Sequence, residues 1–244
     1  MFELSSRFKS CGDCERSLQR ILLSSAKSAP RDMKIIKETL LTSLGIKACL
    51  EDFMKDKNIT QKTLKRIADD ICGFEDLYGT LNASLKEDLP AKLTEGGIIQ
   101  RGYCKELDSK FHETSDEEQI SKLEAKYSSI LKKAVKIVSR KSLGFVIESN
   151  NAISQTEFRL VKKTDKRYFY STNDLMELKF RIEEARETFL DLEKQVYAKI
   201  QSQVINKSSQ LKRLCKSLGE LDVGVSLAVL SKEKNLCRPQ FSSE

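Results

Sequence analysis

Apolar residues recur in steps of three and four along most of the chain, the period of an amphipathic helix. Near the N-terminus Phe8, Cys11, Cys14, Leu18, Ile21 and Leu22 mark one such stripe. Pro30 stands at a plausible first helical position before a second stripe through Met33, Ile36, Leu40, Leu44 and Leu50. Residues 60–86 read as a third helix, with Leu64, Ile67, Ile71, Phe74, Leu77, Leu81 and Leu85 on one side. Pro90 and the Gly96-Gly97 pair then interrupt the pattern with a loop. A long helix is expected over 105–134, with the polar "TSDEE" at 114–118 loosening it.

Between 135 and 172 the period changes. "VKIVSRKSLGFVIES" and "TEFRLVKK" are short, rich in Val, Ile and Phe, and separated by polar "SNNAISQ", which predicts strands joined by a turn. "STND" at 171–174 then caps a returning helix. Its apolar positions are Leu175, Leu178, Ile182, Ala185, Phe189, Leu192 and Val196, alternating steps of three and four over three heptads. Such a stripe needs a helical partner along its length. The helix over 105–134 has the matching size, so the two are expected to form an antiparallel pair with a small β-rich module at its end. "LKRLCKSLGELDVGVSLAVLS" returns as a packed helix of the body.

The fold class is therefore mainly α: a helical core over 1–104, an ascending helix over 105–134, a β-rich insert over 135–172, and a descending helix returning to the core over 173–244. At 244 residues with 32% charged side chains and no Trp, the chain can bury a sizeable core without help from metals or disulfides. Its most apolar C-terminal stretch is about half the ~20 residues that span a bilayer, and "MFELSSRFKS" has no apolar signal core. A cytoplasmic protein, nucleoid-associated if bacterial, is the expectation, with seven scattered cysteines held as thiols.

Charge is unevenly placed. Ten basic residues lie between Lys132 and Arg167, opposed by Glu148, Glu157 and Asp165, and this surplus equals the net charge of +7 for the whole chain. Lys and Arg so concentrated suit phosphate neutralisation, which is sequence-independent and salt-sensitive. The candidate DNA-binding residues are Lys136, Arg140, Lys141, Arg159, Lys162, Lys163, Lys166 and Arg167. A solvated charged face is the plainer alternative. Phe145, Phe158, Tyr168, Phe169 and Tyr170 interleave with the charges, at a spacing that suits the module's small core better than base stacking.

No catalytic signature accompanies this patch. The chain has no GxxxxGK[ST] phosphate loop, and no GxSxG, HExxH or DFG. His112, the single histidine, lies among charged residues as a surface side chain. Cys11 and Cys14 form a CxxC step, but zinc would need a second half-site and redox chemistry a preceding strand, so two small apolar residues on a helical stripe is the better reading. No catalytic residue, metal site or small-molecule substrate is assigned.

Several strings resemble the MutS family of DNA mismatch-repair proteins. "DCERSLQRI" (13–21) is similar to the family's D-L-E-R-L-x-x-R-I, and "PRDM" (30–33) to P-R-D-L. "GGIIQRGYCKELD" (96–108) is similar to G-x-I-R-x-G-Y-N-x-E-L-D, and "LGFVIES" (143–149) to F-G-Y-Y-I-E-V. "LDVGVSLAVLSKEKNLCRPQF" (221–241) is similar to L-D-x-x-x-S-L-A…Y-x-R-P. The resemblance implies the core and clamp domains, in which two lever helices carry a small clamp that holds the backbone of double-stranded DNA. By position the clamp would be Lys136–Arg167, with Lys136, Gly144 and Glu148 matching family residues. Arg140 stands where the family usually has Asn, Phe145 and Val146 replace two tyrosines, and Phe169 replaces Arg, so the clamp assignment rests on charge. The family's mismatch-reading and ATPase domains, with ATP and Mg, are expected to lie outside this stretch, leaving it non-enzymatic and without a cofactor of its own. Implied partners are double-stranded DNA, the remaining MutS domains or a second MutS-like chain, and no membrane. The rival expectation is a helical scaffold that docks a partner protein through the heptad stripe.

Overall fold

The computed structural model describes residues 2–9, 11–23, 29–57, 62–113, 117–140, 142–164 and 166–237. The expectations for residues 114–116, for Lys141, for the His112 side chain and for the segment after Cys237 lie outside this set. The chain divides into two compact units, Met1–Tyr103 with Glu193–Glu244, and Cys104–Leu192.

The first unit is helical: α1 (Phe2–Phe8), α2 (Cys14–Leu23), α3 (Pro30–Lys57), α4 (Lys62–Asp70) and α5 (Glu75–Ser84), joined later in sequence by the end of α8 (Asn173–Asn206) and by α9 (Ser208–Lys234). Its first stripe is split. α1 ends at Phe8 and α2 begins at Cys14, so Cys11 lies in the connector, and Leu22 faces solvent while Cys14, Leu18 and Ile21 are buried. Asp13 sets the new start, its carboxylate accepting the Arg16 N–H at 3.0 Å as an N-cap. The predicted helix over 60–86 is likewise two helices, parted where Gly73 takes φ +84°. Ile71, Phe74 and Leu77 are still all buried, because the break keeps the apolar side inward.

Pro30 opens α3, and the buried Asp32 in its first turn reaches back to the Ala29 N–H at 3.1 Å. The other oxygen of Asp32 accepts Arg20 Nε at 2.9 Å and Nη2 at 2.5 Å, tying α2 to α3. The Asp32 carboxylate raises the Arg20 pKa above its ordinary value.

The loop after α5 is held by one carboxylate. Glu193, 2% exposed, accepts the N–H of Gly97 at 2.8 Å through Oε2, and those of Ile98 and Ile99 at 2.7 and 2.9 Å through Oε1. Three charge-assisted bonds to backbone donors leave that loop's amides satisfied without a strand partner beyond the Leu85–Ile99 bridge.

The second unit holds α6 (Lys105–Glu113), α7 (Glu117–Leu131), the start of α8, and four antiparallel strands: β1 (Ile137–Arg140), β2 (Gly144–Ser149), β3 (Arg159–Lys163) and β4 (Tyr168–Ser171). α7 stops three residues sooner than its periodicity predicts. Lys132 takes φ +49° and the Lys133 N–H bonds to the Ser128 carbonyl at 3.2 Å, a Schellman stop. α8 starts on the expected cap, the Thr172 hydroxyl accepting the Leu175 N–H at 3.2 Å.

The helices on either side of the strands run antiparallel within this unit. Phe111 meets Phe189 edge-to-face at 5.8 Å, Arg181 hydrogen-bonds Gln119, and Lys126 pairs with Asp174 at 2.6 Å. Numbers rise along one side as they fall along the other. At the end of the pair Tyr127, 1% exposed, shares a 2.6 Å hydrogen bond with Thr172, donates to Asp174 at 3.2 Å, and stands edge-on to Phe158 at 5.5 Å.

Tyr127→Phe keeps that ring contact but leaves Thr172 and Asp174 without their phenol partner. Its expected cost is about 1 to 2 kcal/mol, read as a lower urea midpoint for the transition that includes this unit. Glu193→Gln sets an amide N–H₂ against one of three backbone donors and is expected to cost about 2 kcal/mol by the same measurement, with earlier hydrogen exchange at residues 97–99.

Candidate nucleic-acid interface

The sheet order is β1-β2-β4-β3, so β2 pairs with β4 and not with the strand that follows it. "SNNAISQ" is therefore a crossing connection and not a hairpin turn. Two hairpins stand in place of the one predicted: "VKIVSRKSLGFVIES" folds on itself so that Arg140 pairs with Gly144, and "YFYS" supplies an extra strand. Gly144 makes the first possible with φ +71°, and a Cβ there would stand 3.0 Å from Lys179 Cδ.

Cross-strand register assigns the two faces. Ile137, Ile147 and Tyr170 lie side by side and pack with Tyr127, Phe158 and Leu175. The Ile137 N–H donates to Glu124 of α7 at 2.7 Å, anchoring the first strand to the helix. Glu148, Phe169 and Lys162 align on the opposite face. A bulge at Val161 decides what β3 presents: Leu160 aligns with Tyr170, whereas Lys162, two residues on, aligns with Phe169. Without the extra residue both would fall on one face.

All five residues of β3 are exposed, as are Lys136, Arg140, Lys166 and Arg167. The structure thus brings seven of the eight predicted cations to the surface of one small sheet and its turns; Lys141 lies outside the described residues. They are not equally available. Glu148 bonds to Arg167 and lies 3.5 Å from Arg140, and Arg167 together with Arg140 holds its carboxyl below the usual range. Lys163 Nζ sits 5.3 Å over the Tyr168 ring, a cation–π contact. Among the described residues, Lys136, Arg159, Lys162 and Lys166 have no acidic partner.

Beside β3 a groove of about 840 Å³ is lined by Tyr127, Phe145, Arg159, Leu160, Met176 and Phe180, with Lys126 and Lys179 at its wall. Neither lysine belongs to the segment singled out by charge. Antiparallel pairing of the flanking helices brings them to the sheet, and the matched apolar stripes are the sequence signal that points there. Lys126 is already paired with Asp174, whose pKa it lowers, and Lys179 with Glu183 at 3.7 Å. What remains on the sheet is a cationic surface with little acidic opposition, suited to a polyanion.

The comparisons with known proteins agree with the strings in the sequence. A family model described as MutS domain III matches residues 1–228. The DNA mismatch repair protein MutS of Rickettsia canadensis (strain McKiel) is 31% identical over 243 residues, covering 97% of this chain and 27% of that relative. Those of Rickettsia conorii (strain ATCC VR-613 / Malish 7) and Rickettsia prowazekii (strain Madrid E) are each 30% identical over 245 residues, with the same shares. The chain spans about a quarter of the length of these relatives, 27% in each case. On the match to residues 1–228 and these identities, the chain belongs to the MutS domain III family of DNA mismatch repair.

Proposed function

We propose that this chain is the lever and clamp portion of a MutS-like mismatch-repair protein, and that the sheet of its second unit holds the backbone of duplex DNA without reading sequence. The observation that carries this reading is the exposed set Lys136, Arg159, Lys162 and Lys166, which meets no carboxylate among the described residues. Surface lysines without counter-charges repel one another, and a phosphate backbone relieves that repulsion while releasing its own counterions. Phosphate contacts of this kind position a protein and carry no base preference. In this reading the antiparallel helices are the levers, the chain does no chemistry itself, and an ATP- and Mg-dependent step belongs to another domain of the whole protein. Its partners in this reading are duplex DNA and the other MutS domains or a second MutS-like chain.

Glu148 tunes the clamp in this account. By pairing with Arg140 and Arg167 it withdraws two cations from the phosphate-binding set and orders them on the face of Lys162. A second reading is favoured by one observation: Phe180 of α8 is 68% exposed and Met176 lies exposed one turn before it, so this helix also offers an apolar edge to a partner protein.

A filter-binding titration of duplex DNA at two salt concentrations separates the readings. The clamp predicts retention with log K falling against log salt at about 0.9 per phosphate contacted, and partner docking alone predicts none. Charge reversal at Lys162, Lys163, Lys166 and Arg167 is expected to abolish measurable retention, and unchanged affinity and slope would sink the clamp assignment. Glu148→Gln is expected to act oppositely, tightening binding and steepening the slope by up to about 2 as Arg140 and Arg167 become free for phosphate.

A further inference from the structure

The sheet of the second unit has an open edge. β3 pairs only with β4, so its outer side meets no strand among the described residues, and Arg159, Leu160, Val161, Lys162 and Lys163 are all exposed. The two faces of that edge differ. Register sets Leu160 beside Tyr170, on the face that packs with Tyr127, and sets Arg159 beside Ser171 and Lys162 beside Phe169, on the other. Leu160 is 49% exposed although its face is the apolar one, because it lies outside the cluster that this face buries. The groove of about 840 Å³ continues the same apolar surface past Phe145 to Met176 and Phe180 of α8, both of them exposed. Large apolar side chains left uncovered together along a groove mark a contact surface. Glu157 and Asp174 also line it, but Asp174 is held by Lys126 and Tyr127.

We propose that this edge docks an extended acidic segment of a partner protein, which pairs with β3 as a fifth strand and alternates acidic with large apolar residues. The outer edge of β3 supplies the backbone N–H and C=O groups that such a strand completes. Successive side chains of an added strand point to opposite faces. Those on one face enter the groove of Leu160, Met176 and Phe180. Those on the other stand beside Arg159 and Lys162, which have no acidic partner among the described residues.

Charge decides the occupant. A second copy of this chain would bring another Arg159, Lys162 and Lys163 to the same edge, and like charges side by side on neighbouring strands repel. Lysines on an edge strand turn away a basic or purely apolar strand and select an acidic one. The bulge at Val161 bends the edge and keeps the paired stretch short. The site takes in the apolar edge of α8 and holds whether or not the sheet takes up DNA. Because both ligands use Arg159 and Lys162, they compete.

The test titrates the whole chain into a fluorescein-labelled synthetic peptide that alternates glutamate with leucine, read by fluorescence anisotropy, beside the filter-binding titration of duplex DNA. The peptide is expected to bind, more weakly as salt is raised. A peptide of the same composition with its glutamates grouped together, and one with lysine in place of glutamate, are expected not to bind. Methylating alternate backbone nitrogens of the peptide removes the donors along one of its edges, so one methylated set loses binding and the other keeps it, a difference that charge attraction alone does not produce. Phe180→Ala is expected to weaken the peptide about tenfold through lost aromatic burial and to leave DNA retention unchanged. Peptide binding without DNA retention upholds this site and removes the clamp reading; DNA retention without peptide binding does the reverse. Equal binding by the grouped or lysine peptide, no difference between the two methylated sets, full peptide affinity in Phe180→Ala, or a dimer of the chain that the peptide dissociates also overturns the proposal. The methylated peptides decide the matter on the unaltered chain, even if the variant fails to fold.

Discussion

The second unit depends on one buried tyrosine. Tyr127 lies near the end of α7, where the chain leaves the helix for the sheet, and its hydroxyl meets Thr172 and Asp174, where the chain leaves the sheet for α8. Its ring stands against Phe158, in the connection that enters β3. Burial raises its pKa, so the phenol stays a neutral donor and acceptor. One side chain therefore fixes where both helices stop relative to each other and where the strands begin. Thr172 serves that bond and caps α8 at once, which ties the register of the helix pair to the start of one of its members.

From that base the distribution of charge follows. The sheet turns Ile137, Ile147 and Tyr170 toward Tyr127, because apolar area is removed from water only on that side. Alternation alone would place the cations of β3 on both faces, and the bulge at Val161 changes which of them go where. Glu148 then sorts the cations by availability, holding Arg140 and Arg167 while Lys162 and Lys166 remain without a carboxylate among the described residues. Net charge is visible in the sequence, but its effective value on a surface depends on which charges the fold has already paired.

The family strings have physical explanations of the same kind. In "DCERSLQRI" Asp13 caps a helix and Arg20 reaches the buried Asp32 of "PRDM", so two separate strings are halves of one ion pair. "GGIIQ" is a loop whose amides converge on Glu193, almost a hundred residues away, in a helix whose sequence pattern shows only an apolar stripe. Glu193 carries no signal of its own, since a single Glu in a charged helix looks like any solvated carboxylate until a loop is laid across it.

The sequence by itself determined the helix-rich class, the change of period between 135 and 172, the matched stripes flanking it and the placing of the positive surplus, because periodicity and composition are local properties. It also carried the family strings. It did not determine that β2 pairs with β4, or that the stripes over 8–22 and 60–86 break at Asp13 and Gly73. Those outcomes belong to the tertiary structure. Strand pairing and a shared carboxylate both join residues distant in the chain, and their free energy depends on what else has been buried around them.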